Sequence, residues 1–153
     1  MRVLRSFVLV ALGASGVLAA GAAFPSAQQQ TQQPDIQFIG SSRILSTAVR
    51  VGNTLYLSGQ LGTSGERGIT PETRAALERI QSLLDANGAT MDDVVKCTVF
   101  LADFAEWGAM NDVYVTYFPK HRPARSAIAV SGMSSNARVE IECLAVIGAR
   151  NAS

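Results

Sequence analysis

Two residues in the last third of the chain have the types and setting for small-molecule chemistry. Arg125 stands in the run Pro123-Ala124-Arg125-Ser126, and Glu140 in the alternating run Arg138-Val139-Glu140-Ile141-Glu142. They supply one fixed cation and one carboxylate on neighbouring elements of a small α/β fold. Pro123 has its φ locked and biases Arg122 towards extended backbone, so the chain enters a strand at 125–130 from a rigid loop end. Alternation along that strand puts Arg125, Ala127 and Ala129 on one face and Ser126, Ile128 and Val130 on the other. A planar guanidinium at a strand edge, on a face too poor in bulk to bury it, suits bidentate capture of a small carboxylate. Taken alone, the same arginine is a surface ion-pair partner and the same glutamate a solvated strand residue.

The elements that must position these two residues follow from periodicity and turn chemistry. Segments 47–51 and 54–58 flank Gly52-Asn53, a two-residue turn signal, and predict a hairpin. Thr70 is the expected N-cap of a helix with Pro71 at its first position, and Ala76, Leu77, Ile80, Leu83 and Leu84 form its apolar stripe. Asn87-Gly88 ends it. Segment 94–101 reads as a strand with Val95, Cys97, Val99 and Leu101 on one face. A second helix begins near Asp103 or Glu106, carries Trp107, Met110, Tyr114 and Tyr117 at helical spacing as core residues, and stops at Phe118-Pro119. The last two strands, 125–130 and 138–147, are joined by the Gly/Ser/Asn-rich loop 131–137. The fold class expected is α/β in the α+β sense: a single mixed sheet with two helices on one face. The other sheet face is left to pack on something else.

At 153 residues with 48% hydrophobic content, the chain is one domain plus a tail, long enough to bury a core. The tail is N-terminal. Arg2 and Arg5 precede an apolar run at 7–23, which gives way to Pro25-Ser26-Ala27 and a Gln-rich stretch; this is the order of a secretory signal. The expected organisation is a signal peptide at 1–27, a polar linker at 28–40 and the folded domain at 41–150. Cleavage after Ala23 or Ala27 and export, periplasmic or secreted, is one outcome. The other is an uncleaved membrane anchor, because about 17 apolar residues reach the lower limit for spanning a bilayer. Removing Arg2 and Arg5 from 13 basic residues leaves 11 against 12 acidic ones, so the mature chain is close to −1. A near-neutral chain without a Lys/Arg cluster is a poor nucleic-acid binder. The single histidine, His121, lies in the loop before Pro123, and no His/Cys cluster has metal-ligand spacing. No phosphate loop or dinucleotide fingerprint is present, so no cofactor and no metal is expected.

The chain resembles the RidA family of enamine and imine deaminases. The resemblance runs in order from about residue 45 to 147, through Ala48-Val49-Arg50-Val51-Gly52-Asn53, Leu57-Ser58-Gly59-Gln60, Asn87-Gly88-Ala89, Met110-Asn111-Asp112-Val113-Tyr114, Phe118, Pro123-Ala124-Arg125-Ser126 and Val139-Glu140-Ile141-Glu142. It implies a homotrimer like the small trimeric chorismate mutases, three sheets closing into a barrel with helices outside and sites in the clefts between subunits. If Val139, Ile141 and Cys143 meet the helices, Glu140 and Glu142 point to the subunit side, and alternation is expected to place Arg125 and Glu140 in those clefts.

The chemistry that the resemblance implies is hydrolysis of small 2-imino or enamine acids to 2-keto acids and ammonia. Arg125 would hold the substrate carboxylate and Glu140 would orient or deprotonate the attacking water. Backbone at Gly59 and Ala127 would meet the imine or carbonyl end, and Asn111 would line the cleft. Two positions depart from the family. Leu45 stands where the well-studied branch has a tyrosine, which removes a polar wall and opens the pocket to more apolar side chains. Ala127 stands where a cysteine is usual, which fits water addition rather than thiol attack. A non-catalytic trimer that binds small carboxylates, and a scaffold with no small ligand, are the alternatives. Cys97 and Cys143 both fall on apolar strand faces; in an oxidising compartment they could bridge if their strands are adjacent.

Overall fold

The computed structural model describes residues 35–63 and 65–148. Seven strands form one mixed sheet: β1 (Ile36–Ile39), β2 (Ala48–Val51), β3 (Thr54–Leu57), β4 (Gln60–Leu61), β5 (Val94–Leu101), β6 (Ala124–Ala129) and β7 (Val139–Val146). Their order is β1-β2-β3-β7-β5-β6, with β4 also paired to β7. Two helices, α1 (Ile69–Ala86) and α2 (Trp107–Tyr114), complete the α+β fold. Every pairing is antiparallel except β5 with β6. A parallel pair needs a crossover connection, and α2 is that crossover. It carries the chain from the end of β5 back to the start of β6, which is where Arg125 lies.

The expected helix stripe is the observed one: Ala76, Leu77, Ile80 and Leu84 are fully buried. They pack with Leu55, Leu57, Cys97, Val99, Leu101, Val139, Ile141 and Ala145 in one continuous core. These strand residues alternate, so a single sheet face meets the helices. The opposite face carries large apolar side chains in the open, including Phe38 at 68% and Tyr56 at 50% exposure.

Several expectations need correction. The polar linker expected at 28–40 runs into β1, because Ile36, Phe38 and Ile39 suit an edge strand and pair with Val51, Val49 and Ala48. The leader expected at 1–27 lies outside the described residues. Helix α1 begins at Ile69 rather than at Pro71, and its N-cap is Gly68 rather than Thr70. Gly68 has φ of 124°, open to glycine, and the Glu72 carboxylate accepts its N–H at 3.3 Å in place of a hydroxyl cap. On β5 the register shifts between Val94 and Lys96, so Val94 enters the core and Val95 turns out. Of the aromatics expected in the core, Tyr114 is buried but Trp107 is 42% exposed. Ahead of α2 the chain makes a 3₁₀ turn at Phe104–Glu106, capped by the Asp103 carboxylate, which accepts from Ala105 N–H at 2.9 Å.

Cys97 and Cys143 are directly opposite on β5 and β7 and form a disulfide. The bridge cross-links residues 46 apart in sequence, which limits the unfolded chain. The paired variant Cys97→Ala/Cys143→Ala should therefore lose about 2–4 kcal/mol of stability in urea unfolding. Native protein should show no titratable thiol before reductant and denaturant are applied together; free thiol in the untreated, unfolded protein would contradict the bridge.

Candidate active site

Arg125 is set by β6 and read through β5. Its register partner is Cys97, which in turn faces Cys143. Arg125 therefore shares the helix-facing side of the sheet with the core, together with Ala127 and Ala129. Its guanidinium is half-buried under α2: the Arg125 Cζ lies 4.5 Å from the centre of the Tyr114 ring and 6.0 Å from that of Trp107, and its Nη1 lies 4.0 Å from the Met110 sulfur. Ring faces and a polarisable sulfur accommodate a cation without neutralising it. Among the described residues, no carboxylate is in ion-pair range of Arg125.

Two side-chain polar atoms of α2 are buried and without hydrogen-bond partners among the described residues: the Tyr114 hydroxyl and the Asn111 Oδ1. Trp107, Asn111 and Tyr114 recur at helical spacing, so all three border one face of α2. Burial pushes the Tyr114 hydroxyl up to about 12, against the opposing pull of the Arg125 charge. It stays a neutral phenol, able to donate.

Glu140 occupies the other side of the sheet. It pairs with Phe100 on β5 and Leu61 on β4. Cys143 follows Glu140 at an interval of three positions, odd on a period-two strand, so the two point oppositely. Glu140 lines a hollow of about 290 Å³ with Phe100, Val130, Gly132, Met133 and Ser134. Gly59 touches it: a Cβ on Gly59 would coincide with the Glu140 carboxylate, so only glycine allows this approach. Leu45 belongs to the same half. It is exposed, in a turn closed by the Ser42 hydroxyl, which accepts from Leu45 N–H at 3.1 Å. One residue later, the Ser46 carbonyl accepts the Ser58 hydroxyl at 2.7 Å, tying this turn to the approach of Gly59.

The six expected site residues thus fall into two groups. Arg125 and Ala127 lie on the helix side, at the free edge of β6, with Asn111 on α2; Glu140, Gly59 and Leu45 lie on or beside the open side. One chain does not bring Arg125 and Glu140 into one cleft, because alternation along β6 and β7 fixes them on opposite faces. Sequence reading missed Trp107 and Tyr114 as site residues, since rings at helical spacing carry the same signal whether they face a core or a ligand. His121 is held elsewhere, its Nε2 at 3.2 Å from the Asp92 carbonyl.

A family profile described as Endoribonuclease L-PSP matches residues 37–147. The chain belongs to this family, the RidA (YjgF) family. A protein of Mus musculus called 2-iminobutanoate/2-iminopropanoate deaminase is 42% identical over 109 residues, covering 67% of this chain and 81% of its own. One of Dermatophagoides farinae with the same name is 42% identical over 108 residues, covering 67% and 84%. Among solved structures, a YjgF family member from Neisseria meningitidis superposes with a TM-score of 0.71 at 27% identity, covering 75% of this chain and 97% of its own. A YjgF/YER057c/UK114 family member from Mycobacterium tuberculosis gives 0.68 at 30% identity, covering 74% and 100%. The RidA-family match spans both halves of the site.

The Tyr114 environment has a sign that can be measured. Because its hydroxyl holds its proton above the ordinary value of 10.0, the unfolded chain releases that proton first. Stability from this group is complete below pH 10.0 and is lost as pH rises towards about 12. Urea unfolding at stepped pH should show wild type losing stability relative to Tyr114→Phe across that window. Parallel curves for the two proteins would contradict the burial of the hydroxyl.

Proposed function

We infer that this protein is a hydrolytic deaminase of small 2-imino and enamine acids, yielding 2-keto acids and ammonia, and that it works as a homotrimer. The observation that carries the reading is an unneutralised, aromatic-backed Arg125 retained together with Glu140 in a chain 42% identical to proteins named for this activity. Arg125 binds the substrate carboxylate through two parallel N–H donations and fixes the orientation of the C=N carbon. Water adds to that carbon as Glu140 takes a proton from it. That proton, taken from the water, passes to the nitrogen to give a carbinolamine; transfer of the carbinolamine's hydroxyl proton to the nitrogen then lets the C–N bond break as the carbonyl forms, releasing ammonia. Tyr114, kept neutral, borders the arginine, and Asn111 stands on the same helix.

Since Arg125 and Glu140 face opposite ways in one chain, the complete site needs the Arg125 edge of one subunit against the Glu140 face of the next. The exposed apolar side chains of the open sheet face support such an assembly, because an isolated chain would leave them in water. Neither the geometry nor the relatives favours the purely carboxylate-binding alternative. The export reading draws support from the Cys97–Cys143 bridge, since such bonds persist in oxidising compartments. Leu45, exposed beside the Gly59 approach, leaves that wall apolar.

Ammonia release from 2-imino acids generated in situ by an amino-acid oxidase tests the reading. Arg125→Ala and Arg125→Lys should each lose most of the rate, since lysine lacks the planar two-point contact. Glu140→Gln should still bind keto acids but turn over roughly 10²- to 10⁴-fold more slowly. Wild-type protein that binds keto acids yet never exceeds the uncatalysed rate would defeat the deaminase reading.

A further inference from the structure

We propose that Phe104 and Trp107 form an aromatic shelf that receives the substrate's side chain, so that this protein prefers 2-imino acids with aromatic or large apolar side chains. The proposal rests on the carboxylate-binding role of Arg125 described above. Phe104 is 52% exposed and Trp107 is 42% exposed. Their rings stack at 6.4 Å between centres and 28° between planes. Two large rings side by side at the surface leave apolar area exposed, which an apolar or aromatic side chain of a ligand would cover. The fold does not need Trp107 in the core: its neighbours along α2, Met110 and Tyr114, are buried and already fill that interface.

Position ties the shelf to the chemistry. Trp107 is one of the two rings that flank the Arg125 guanidinium, 6.0 Å from its Cζ. In a 2-imino acid the first side-chain carbon is attached to the imine carbon, itself bonded to the carboxylate carbon. A substrate held by its carboxylate on Arg125 therefore projects its side chain within reach of the tryptophan. The β6 face beside the arginine carries only the half-buried Ala127 and the exposed Ala129, so no bulky β6 side chain obstructs that path. Phe104 extends the surface away from Arg125, following the turn that leaves β5 at Leu101, the register partner of Ala129. A substrate with only a methyl side chain would leave the shelf unused.

Trp107 is the only tryptophan of the chain, so its fluorescence reports on the shelf directly. Titration of the protein with the product-type acids pyruvate, 4-methyl-2-oxopentanoate and phenylpyruvate should give affinities rising in that order. Phenylpyruvate should bind at least about tenfold tighter than pyruvate, in the range that one apolar contact surface discriminates, and it should change Trp107 emission most. By calorimetry, Trp107→Ala should bring the phenylpyruvate-to-pyruvate affinity ratio close to one, and Phe104→Ala should lower it by a smaller factor. Arg125→Ala should remove binding of all three acids. Equal wild-type affinities, a ratio unchanged in both aromatic variants, or a Trp107→Ala protein that loses its oligomeric state by light scattering would overturn the shelf, the last assigning the rings to a subunit contact. If the affinity ratio behaves as stated while no imine is hydrolysed above background, the shelf stands and the deaminase reading fails.

Discussion

The register across β6, β5 and β7 is the constraint on which the site depends. Arg125 aligns with Cys97, and Cys97 with Cys143, so all three share the face that packs on the helices. Glu140 aligns with Phe100 and takes the other face. A slip of one residue in either pairing would invert one of the two candidate side chains, because strand periodicity is two. The disulfide at the centre of this three-strand unit holds β5 to β7 in the alignment that separates cation and carboxylate. The separation is then a built property of the chain, and in the proposed trimer a second copy would join the halves.

A second set of contacts holds the loops around that unit. Glu72 on α1 is fully buried, and its Oε2 accepts the Arg138 backbone N–H at 2.8 Å. Its other oxygen faces Arg67 Nε at 3.2 Å and accepts the Gly68 N–H, so the buried carboxylate is paired and satisfied rather than isolated. Arg138 also reaches outward, its Nε donating to both oxygens of Glu106 at 2.8 and 2.7 Å. Glu106 immediately precedes Trp107, and Arg138 precedes Glu140 by one turn of the pleat. One arginine thus links the first helix, the entry to the aromatic shelf and the strand that carries the carboxylate.

Much of this was legible in the sequence, for identifiable reasons. Alternation at 139–143 and the Gly52-Asn53 turn determine the strands they were expected to form. The apolar stripe of α1 is long enough to outweigh the misplacement of its first turn. What sequence could not carry was tertiary. The Glu72 carboxylate replaces the cap assigned to Thr70 because it is buried against Gly68, a contact with no local signature. The β-bulge that exchanges Val94 for Val95 depends on pairing with β7. Whether Arg125 would share a face with Glu140 depends on the register of two strands on β5, and alternation within each strand alone does not set it. The aromatic neighbours of Arg125 were hidden for the same reason: helical spacing places Trp107 and Tyr114 on one side of α2 without saying that a cation lies beneath.

The most direct measurement of the central claim, that one active site is assembled from two chains, is complementation between Arg125→Ala and Glu140→Gln chains. Each variant alone lacks one half of every site. In trimers reassembled from an equal mixture, about one quarter of the subunit interfaces pair an intact Arg125 edge with an intact Glu140 face. Imine hydrolysis should recover to about that fraction of the wild-type rate. Mixed trimers that form, as shown by mass, yet remain no more active than the two parents would place both residues in a site within one chain and contradict the account.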